Sequence, residues 1–266
     1  MGSFFRPRRR LTGTRVIITG ASSGIGRSLA IELAACDARQ VLMARDAAKL
    51  QDTAAAVAER GSQAVVVAGD VTDAGVRAEA LRRASEAYGG LDLLVNNAGV
   101  GAYGRFVEVG PDRLRRLAEV NLVAPGEFIR EATPLLRAAD DTAVVNIGSI
   151  LGCRGLPFSS EYCATKFALH GLSESIRPEL ARLGVGLLVV APGTTATGFK
   201  DNVVDNRGKP PWGRRGSVPP ERVARATLAA LRRRRRFIIP NTQGWAMVTA
   251  NRFAPWLLDR VIDRYG

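Results

Sequence analysis

Short runs of apolar residues recur along the first 190 or so positions, each followed by a stretch with helical spacing. Val16, Ile17 and Ile18, leading to Thr19, form the first run; 40–44, 64–68, 91–96, 143–147 and 185–191 form the others. They are apolar at consecutive positions, not alternate ones, which predicts strands buried on both faces. Between them, residues 25–35, 47–60, 74–88, 112–138 and 159–183 have helical patterning and predict helices. Strands alternating with helices imply an α/β chain, a parallel sheet covered on both faces. Right-handed crossovers then make the sheet doubly wound.

The rhythm changes after Pro192. Residues 193–220 are rich in Gly, Pro and charge and predict an irregular lid, about 194–218. A helix over 220–231 and a strand over 237–239 complete the sheet. Neither a Pro/Ser-rich linker nor an internal repeat divides the chain. It therefore reads as a basic arm (1–13), one domain (14–241) and an apolar, aromatic tail (242–266).

The 266 residues are 46% hydrophobic and 24% charged, enough to bury a core without metals or disulfides. No uncharged apolar run reaches the roughly 18 residues of a spanning helix. The charge is lopsided: 38 basic against 25 acidic residues, a net of +13. Such an excess can steer phosphate-bearing ligands, anionic lipid or nucleic acid. Only four of the basic residues are lysine, however, and genomic base composition accounts for that bias equally well. With aromatics at 6% there is little to stack on bases, so no nucleic-acid partner is expected. Cys36, Cys153 and Cys163 stand at no metal-ligand spacing, which suggests a reduced, cytoplasmic chain with no metal. The basic start lacks the apolar stretch of a signal peptide and reads as a disordered arm.

The first strand runs into Thr19, Gly20, Ala21, Ser22, Ser23, Gly24, Ile25 and Gly26. Glycines there permit a tight turn and the close approach of a pyrophosphate, and the following helix offers free N–H groups to phosphate oxygens. The spacing is not the commonest dinucleotide fingerprint, but its place between first strand and first helix points to a nucleotide. At the end of the second strand an acid would bond an adenosine ribose. Ala44 and Arg45 stand there instead, and a guanidinium suits a 2′-phosphate, so NADP(H) is expected over NAD(H).

Ser149 ends a strand, and Tyr162 and Lys166 follow on one helical face, a turn apart. A nearby ammonium favours a phenolate, so Lys166 is expected to lower the pKa of Tyr162. Ser149 can hold a substrate oxygen while Tyr162 moves its proton.

With these motifs the chain resembles the short-chain dehydrogenase/reductase family over roughly residues 14–240. The resemblance rests on Thr19, Gly20, Gly24, Ile25 and Gly26; on Asp70 and Val71; on Asn96, Asn97, Ala98 and Gly99; on Asn121; on Ser149, Tyr162 and Lys166; and on Pro192, Gly193 and Thr197. It implies a single Rossmann-like domain with a seven-stranded parallel sheet and reversible hydride transfer between nicotinamide and a carbonyl or alcohol carbon. It implies that Tyr162 is the general acid or base, that Lys166 assists it and bonds the nicotinamide ribose, and that Ser149 orients the substrate. Asn121 would hold a water linking Lys166 to solvent. The cofactor would further meet Ser22 and Ser23 in the loop, Asp70 and Val71 at the adenine, Asn97, Ala98 and Gly99 at its middle, and Pro192, Gly193, Thr195 and Thr197 at the nicotinamide. Pairing through helices 112–138 and 159–183 into a homodimer or homotetramer is also implied. The alternative is a protein with this fold that binds or regulates without chemistry.

Four features stand outside this set. His170 reads as a relay or as a packing side chain, and Cys153 as a pocket wall. The arginines at 232–236 read as a solvated helix end or an anion-binding run. The lid carries Phe199, Val203, Val204 and Trp212, which suggests an apolar ketone or alcohol, such as a steroid or lipid-derived carbonyl. In the tail, Phe253, Leu257 and Val261 recur at four-residue steps among arginines. That stripe either packs on protein, covering the pocket, or makes peripheral contact with an anionic membrane.

Overall fold

The computed structural model describes residues 7–207 and 217–265. Trp212 of the expected lid and the first six residues of the expected arm lie outside the described residues. In chain order β1 (Arg15–Thr19), α1 (Gly24–Ala34), β2 (Arg39–Ala44), α2 (Ala47–Ala58), β3 (Gln63–Ala68), α3 (Ala74–Tyr88) and β4 (Leu93–Asn96) alternate as expected. A short β5 (Gly101–Tyr103) follows, then α4 (Pro111–Ala118), a π-helical turn (Glu119–Val123) and α5 (Ala124–Arg137). Next come β6 (Ala143–Ile147), α6 (Ser160–Arg182), β7 (Gly186–Val190), β8 (Val203–Asn206), α7 (Pro220–Arg232) and β9 (Phe237–Ile238). The described chain ends with α8 (Thr242–Phe253), α9 (Pro255–Ile262) and a short 3-10 turn.

Seven of these strands form one parallel sheet in the order β3-β2-β1-β4-β6-β7-β9, the Rossmann-like, doubly wound arrangement. Consecutive apolar residues serve opposite faces. Val16 and Ile18 pack with Leu29 and Leu33 of α1 and Leu228 of α7, while Ile17 packs with Phe128 of α5 and Leu180 of α6. That two-sided burial is why the strands show no alternation. Local signals bound the helices. Asp46 and Asp73 cap α2 and α3 by accepting from Lys49 N and Gly75 N, and Gly89 ends α3 at φ +75.

Two expectations are corrected. Residues 7–11 do not form a disordered arm. Arg9 N donates to Arg232 O at 2.9 Å, its guanidinium bonds Thr142 O at 2.9 Å and pairs with Asp141 at 3.0 Å, and Leu11 joins the core. A buried arginine needs such partners, and Asp141 supplies them while also taking Arg234 at 2.6 Å. Nor is the lid wholly irregular: β8 pairs in parallel with β5 as a second, two-stranded sheet.

α4 and α6 are joined by an ion pair between Arg113 and Glu161, whose side chains are only 3% and 5% exposed. Arg113 also donates to Tyr103 O, so the pair ties β5 to both helices. Removing one partner of such a pair leaves a buried charge without its counter-ion, at about 3–5 kcal/mol. Arg113→Met, which leaves the buried Glu161 carboxylate without this counter-ion, is expected to lose about that much stability in equilibrium urea unfolding; a loss below ~1 kcal/mol would mean that the pair is dispensable.

Candidate active site

The strand order reverses where β1 meets β4, and a crevice opens at the carboxyl ends of the strands there. A cavity of about 1340 Å³ occupies it. Its lining takes in Gly20, Ser22, Ser23, Gly24, Ile25, Arg45, Asp70, Val71, Asn97, Ala98 and Gly99 along one stretch, and Ser149, Tyr162, Lys166, Pro192, Gly193, Thr195 and Thr197 along the other. Gly26 and Asn121 are not part of the lining.

The glycine loop is shaped by close approach. Gly20 has φ +64, and a Cβ there would sit 2.9 Å from Ala98 Cα; Gly24 has φ +53, and its Cβ would meet Thr197 at 2.9 Å. Gly26 acts one layer deeper. A Cβ on it would fall 2.3 Å from Gly20 O, so its smallness packs α1 under the loop and does not touch a ligand. Ser23 makes no side-chain cap, and the first turn of α1 carries no acid, so the helix's positive end faces the cavity unneutralised. Asn97 holds the loop from behind, donating to Thr19 O at 2.8 Å and Gly20 O at 3.1 Å. This cradle, which any side chain would fill, fits the diphosphate of a dinucleotide.

At the far end of the cavity Arg45 is exposed and donates to Asn202 Oδ1 at 3.1 Å. Lys49, on the first turn of α2, also lines this end, a second cation that the sequence reading missed. Asp70 accepts from Thr72 N at 3.0 Å and Arg116 at 2.6 Å; burial pushes its carboxyl up, but these bonds outweigh it and hold it below its ordinary value.

On the other side α6 brings Tyr162 and Lys166 beneath Ser149. The Ser149 hydroxyl accepts from Leu151 N at 3.1 Å and lies beside Tyr162, where it favours the phenolate. Lys166 Nζ donates to Ile147 O at 3.0 Å and lies 5.7 Å from the Tyr162 ring centre. Burial lowers the Lys166 ammonium to about 8. Burial raises the Tyr162 phenol above its ordinary value, and Ser149 offsets part of that rise. Asn121 is fully buried in the π-helical turn. Its amide clasps Val100, donating to the carbonyl and accepting from the N–H, both at 2.9 Å, and reaches Thr165 Oγ1 at 3.2 Å. These bonds tie the side chain to the β4–β5 connection.

His170 packs behind Ser149. A Cβ on Gly148 would lie 2.2 Å from its ring and one on Gly152 2.6 Å, so both glycines make room for it. Burial, with help from Lys166, lowers its pKa to about 4, and Nε2 has no hydrogen-bond partner: the geometry is that of a packing side chain, not a relay. Cys153 does not line the cavity; its Sγ lies 3.8 Å from His170 Nδ1. The wall near Tyr162 is built instead by Tyr103, Leu151, Leu156, Phe199 and Met247, with the Phe199 ring edge-on to Tyr162 at 5.9 Å. Tyr103 and Met247 carry no motif that sequence reasoning could have used. They arrive from β5 and α8, whose positions only the folded chain sets.

A family model described as short chain dehydrogenase matches residues 14–208. Over 263 residues the chain is 31% identical to "Ketoacyl reductase HetN" of Nostoc sp., covering 96% of this chain and 90% of that protein. Among solved structures, a short chain dehydrogenase/reductase from Burkholderia phymatum in complex with NAD superposes with a TM-score of 0.84 at 26% identity, covering 94% of this chain and 96% of that one. An alcohol dehydrogenase from Thermococcus sibiricus complexed with 5-hydroxy-NADP gives 0.75 at 26% identity, covering 84% and 94%. The chain belongs to the short-chain dehydrogenase family, a family of oxidoreductases whose fold binds nicotinamide cofactors.

The Lys166 shift has a sign that can be checked. A buried base with a depressed pKa is charged below that value and neutral above it. Turnover that needs the ammonium is expected to fall about tenfold per pH unit above roughly pH 8. A rate that stays flat to pH 10 would remove the ammonium from the mechanism.

Proposed function

We propose that the protein is an NADP(H)-dependent oxidoreductase interconverting an apolar carbonyl compound and its alcohol. One observation carries the reading: Ser149, Tyr162 and Lys166 converge on the same cavity as the glycine loop. The nicotinamide would supply or accept the hydride. Ser149 would hold the substrate oxygen, and Tyr162 would deliver its proton to that oxygen as the carbonyl is reduced, with Lys166 beside it favouring the phenolate that forms, and take it back in the reverse direction. Lys166, fixed to Ile147 O, would present positive charge to the phenol as it loses its proton and bond the nicotinamide ribose. Asn121 would hold a water linking Lys166 to solvent, with its side chain fixing the β4–β5 connection.

NADP(H) over NAD(H) is supported by Ala44, not an acid, at the end of β2 and by Arg45 beside it; Lys49 also lines that end of the cavity, paired there with Asp46, the cap of α2, at 3.2 Å. Ser22, Ser23, Ile25 and Gly24 would take the diphosphate, Asp70 and Val71 the adenine, and Pro192, Gly193, Thr195 and Thr197 the nicotinamide. An apolar substrate, steroid or lipid-derived, is supported by the wall of Tyr103, Leu151, Leu156, Phe199 and Met247. A homodimer or homotetramer through α4–α5 and α6 is supported by the exposed Leu114, Val123 and Phe167 there.

Two variants test the reading in a panel of carbonyls and alcohols followed by NADPH absorbance. Tyr162→Phe is expected to lose at least about a thousandfold in kcat with NADPH affinity nearly intact, since only the transferable proton goes. Wild-type protein inert across the panel would favour the fold's use as a binding module. Arg45→Asp is expected to weaken NADPH binding by about ten- to a hundredfold and NADH binding by far less, the scale of one or two charge-assisted hydrogen bonds. Equal losses would mean that Arg45 does not read the 2′-phosphate.

A further inference from the structure

The stripe in the final helices is not packed on the domain. Phe253, Trp256, Leu257 and Val261 are 77%, 58%, 48% and 45% exposed, and α9 has no buried residue. On α8 the two faces differ. Gly244, Met247 and Asn251, at helical spacing, face inward: the first two line the cavity, and Asn251 Nδ2 donates to Cys153 O at 3.1 Å. Trp245, Arg252 and Phe253 stand on the opposite side, all exposed. The pair of helices is fastened to the loop after Ser149 by Arg154, which donates to Asn251 Oδ1 at 3.0 Å and pairs with Asp259.

The charge on this surface is predominantly positive. α8 carries no acid, and the only acid in α9, Asp259, is taken by Arg154. Arg252, Arg260 and Arg264 remain, against Asp263, and Arg260 lies over the Trp256 ring at 5.4 Å. The arginines at 232–236 do not contribute. They precede β9 at the amino-terminal edge of the sheet, where Arg232 O accepts from Arg9 N and Arg234 pairs with Asp141 just ahead of β6, whereas α8 leaves from the carboxyl edge beside the cavity.

We propose that the outer face of α8 and α9 docks on the surface of an anionic lipid bilayer. Exposed tryptophan and aliphatic side chains interleaved with arginine match the boundary between acyl chains and acidic headgroups, where apolar burial and charge attraction add. Long arginine side chains lie along apolar surface and keep their charge among the headgroups. A second copy of the chain fits the face less well, because self-pairing would set Arg252 and Arg260 against their own kind. The helix resting on lipid would then be the helix whose other side walls the cavity. Resting on the apolar-substrate reading above, this makes the substrate a carbonyl or alcohol carried in the bilayer.

The test is sedimentation of the full chain with vesicles of phosphatidylcholine alone or with about one-third phosphatidylglycerol, at low and high salt. Binding is read without cofactor or substrate, so it stands or falls apart from the oxidoreductase reading. Wild-type protein is expected to pellet with the anionic vesicles and to be released in part by salt. Trp256→Ala/Leu257→Ala is expected to lower the partition coefficient at least about tenfold with an unchanged thermal midpoint. Arg252→Glu/Arg260→Glu is expected to abolish the preference for phosphatidylglycerol. Wild-type protein left in the supernatant with both vesicles would overturn the proposal. So would equal binding by both double variants, or a solution dimer that the Trp256→Ala/Leu257→Ala exchange dissociates.

Discussion

How α6 is fastened to the sheet decides everything else in the cavity. Two polar contacts do it. Lys166 Nζ reaches Ile147 O at the end of β6, and about two helical turns further on Asn146 Nδ2 donates to Ser173 Oγ at 2.9 Å, whose hydroxyl bonds Leu169 O within α6. Asn146 also accepts from Asn96 on β4 at 3.0 Å, so the line runs through two strands into the helix. Each of these groups is buried, and a buried polar group without a partner costs more than the bond it would make. The helix is therefore held in one rotation and one register. Tyr162 meets Ser149 because Lys166 and Ser173 have nowhere else to go. Gly148 and Gly152 complete the fit, since the ring of His170 takes the space a side chain would need.

The same sheet edge governs the other half of the cavity, by smallness where α6 works by polarity. Gly20, Gly24 and Gly26 allow the loop, the strand β4 and the segment after β7 to approach to distances that a Cβ forbids. The positive end of α1 is left open toward that gap. Electrostatics and sterics thus agree on an anionic, narrow ligand at one end, while aromatic and aliphatic side chains wall the cavity around Tyr162 at the other.

The helices beyond β9 join these halves to the surface. α8 closes the cavity with Gly244 and Met247 and is tied to the Ser149 loop through Asn251 and Arg154. A disturbance of this helix therefore reaches the loop that holds Ser149, through contacts that do not involve the sheet.

By itself the sequence determined the order and kind of the main elements, because burial on both faces writes consecutive apolar residues into each central strand and helical spacing between them. It also determined the chemical candidates, because Gly20, Ser149, Tyr162 and Lys166 belong to motifs with fixed local spacing. Only the tertiary structure decided the rest. Arg9 reads as one more charge in a basic arm until Asp141, 132 residues away, takes it into the domain. The pKa direction of Tyr162 follows from how deeply it is buried, which spacing to Lys166 does not encode. Asn121 is committed to Val100, and Gly26 to Gly20, by contacts across the fold. Tyr103, Lys49 and Met247 reach the cavity from three separate elements. Local patterns record which face of an element is apolar; which faces meet, and how much solvent they exclude, depends on contacts between residues far apart in the chain.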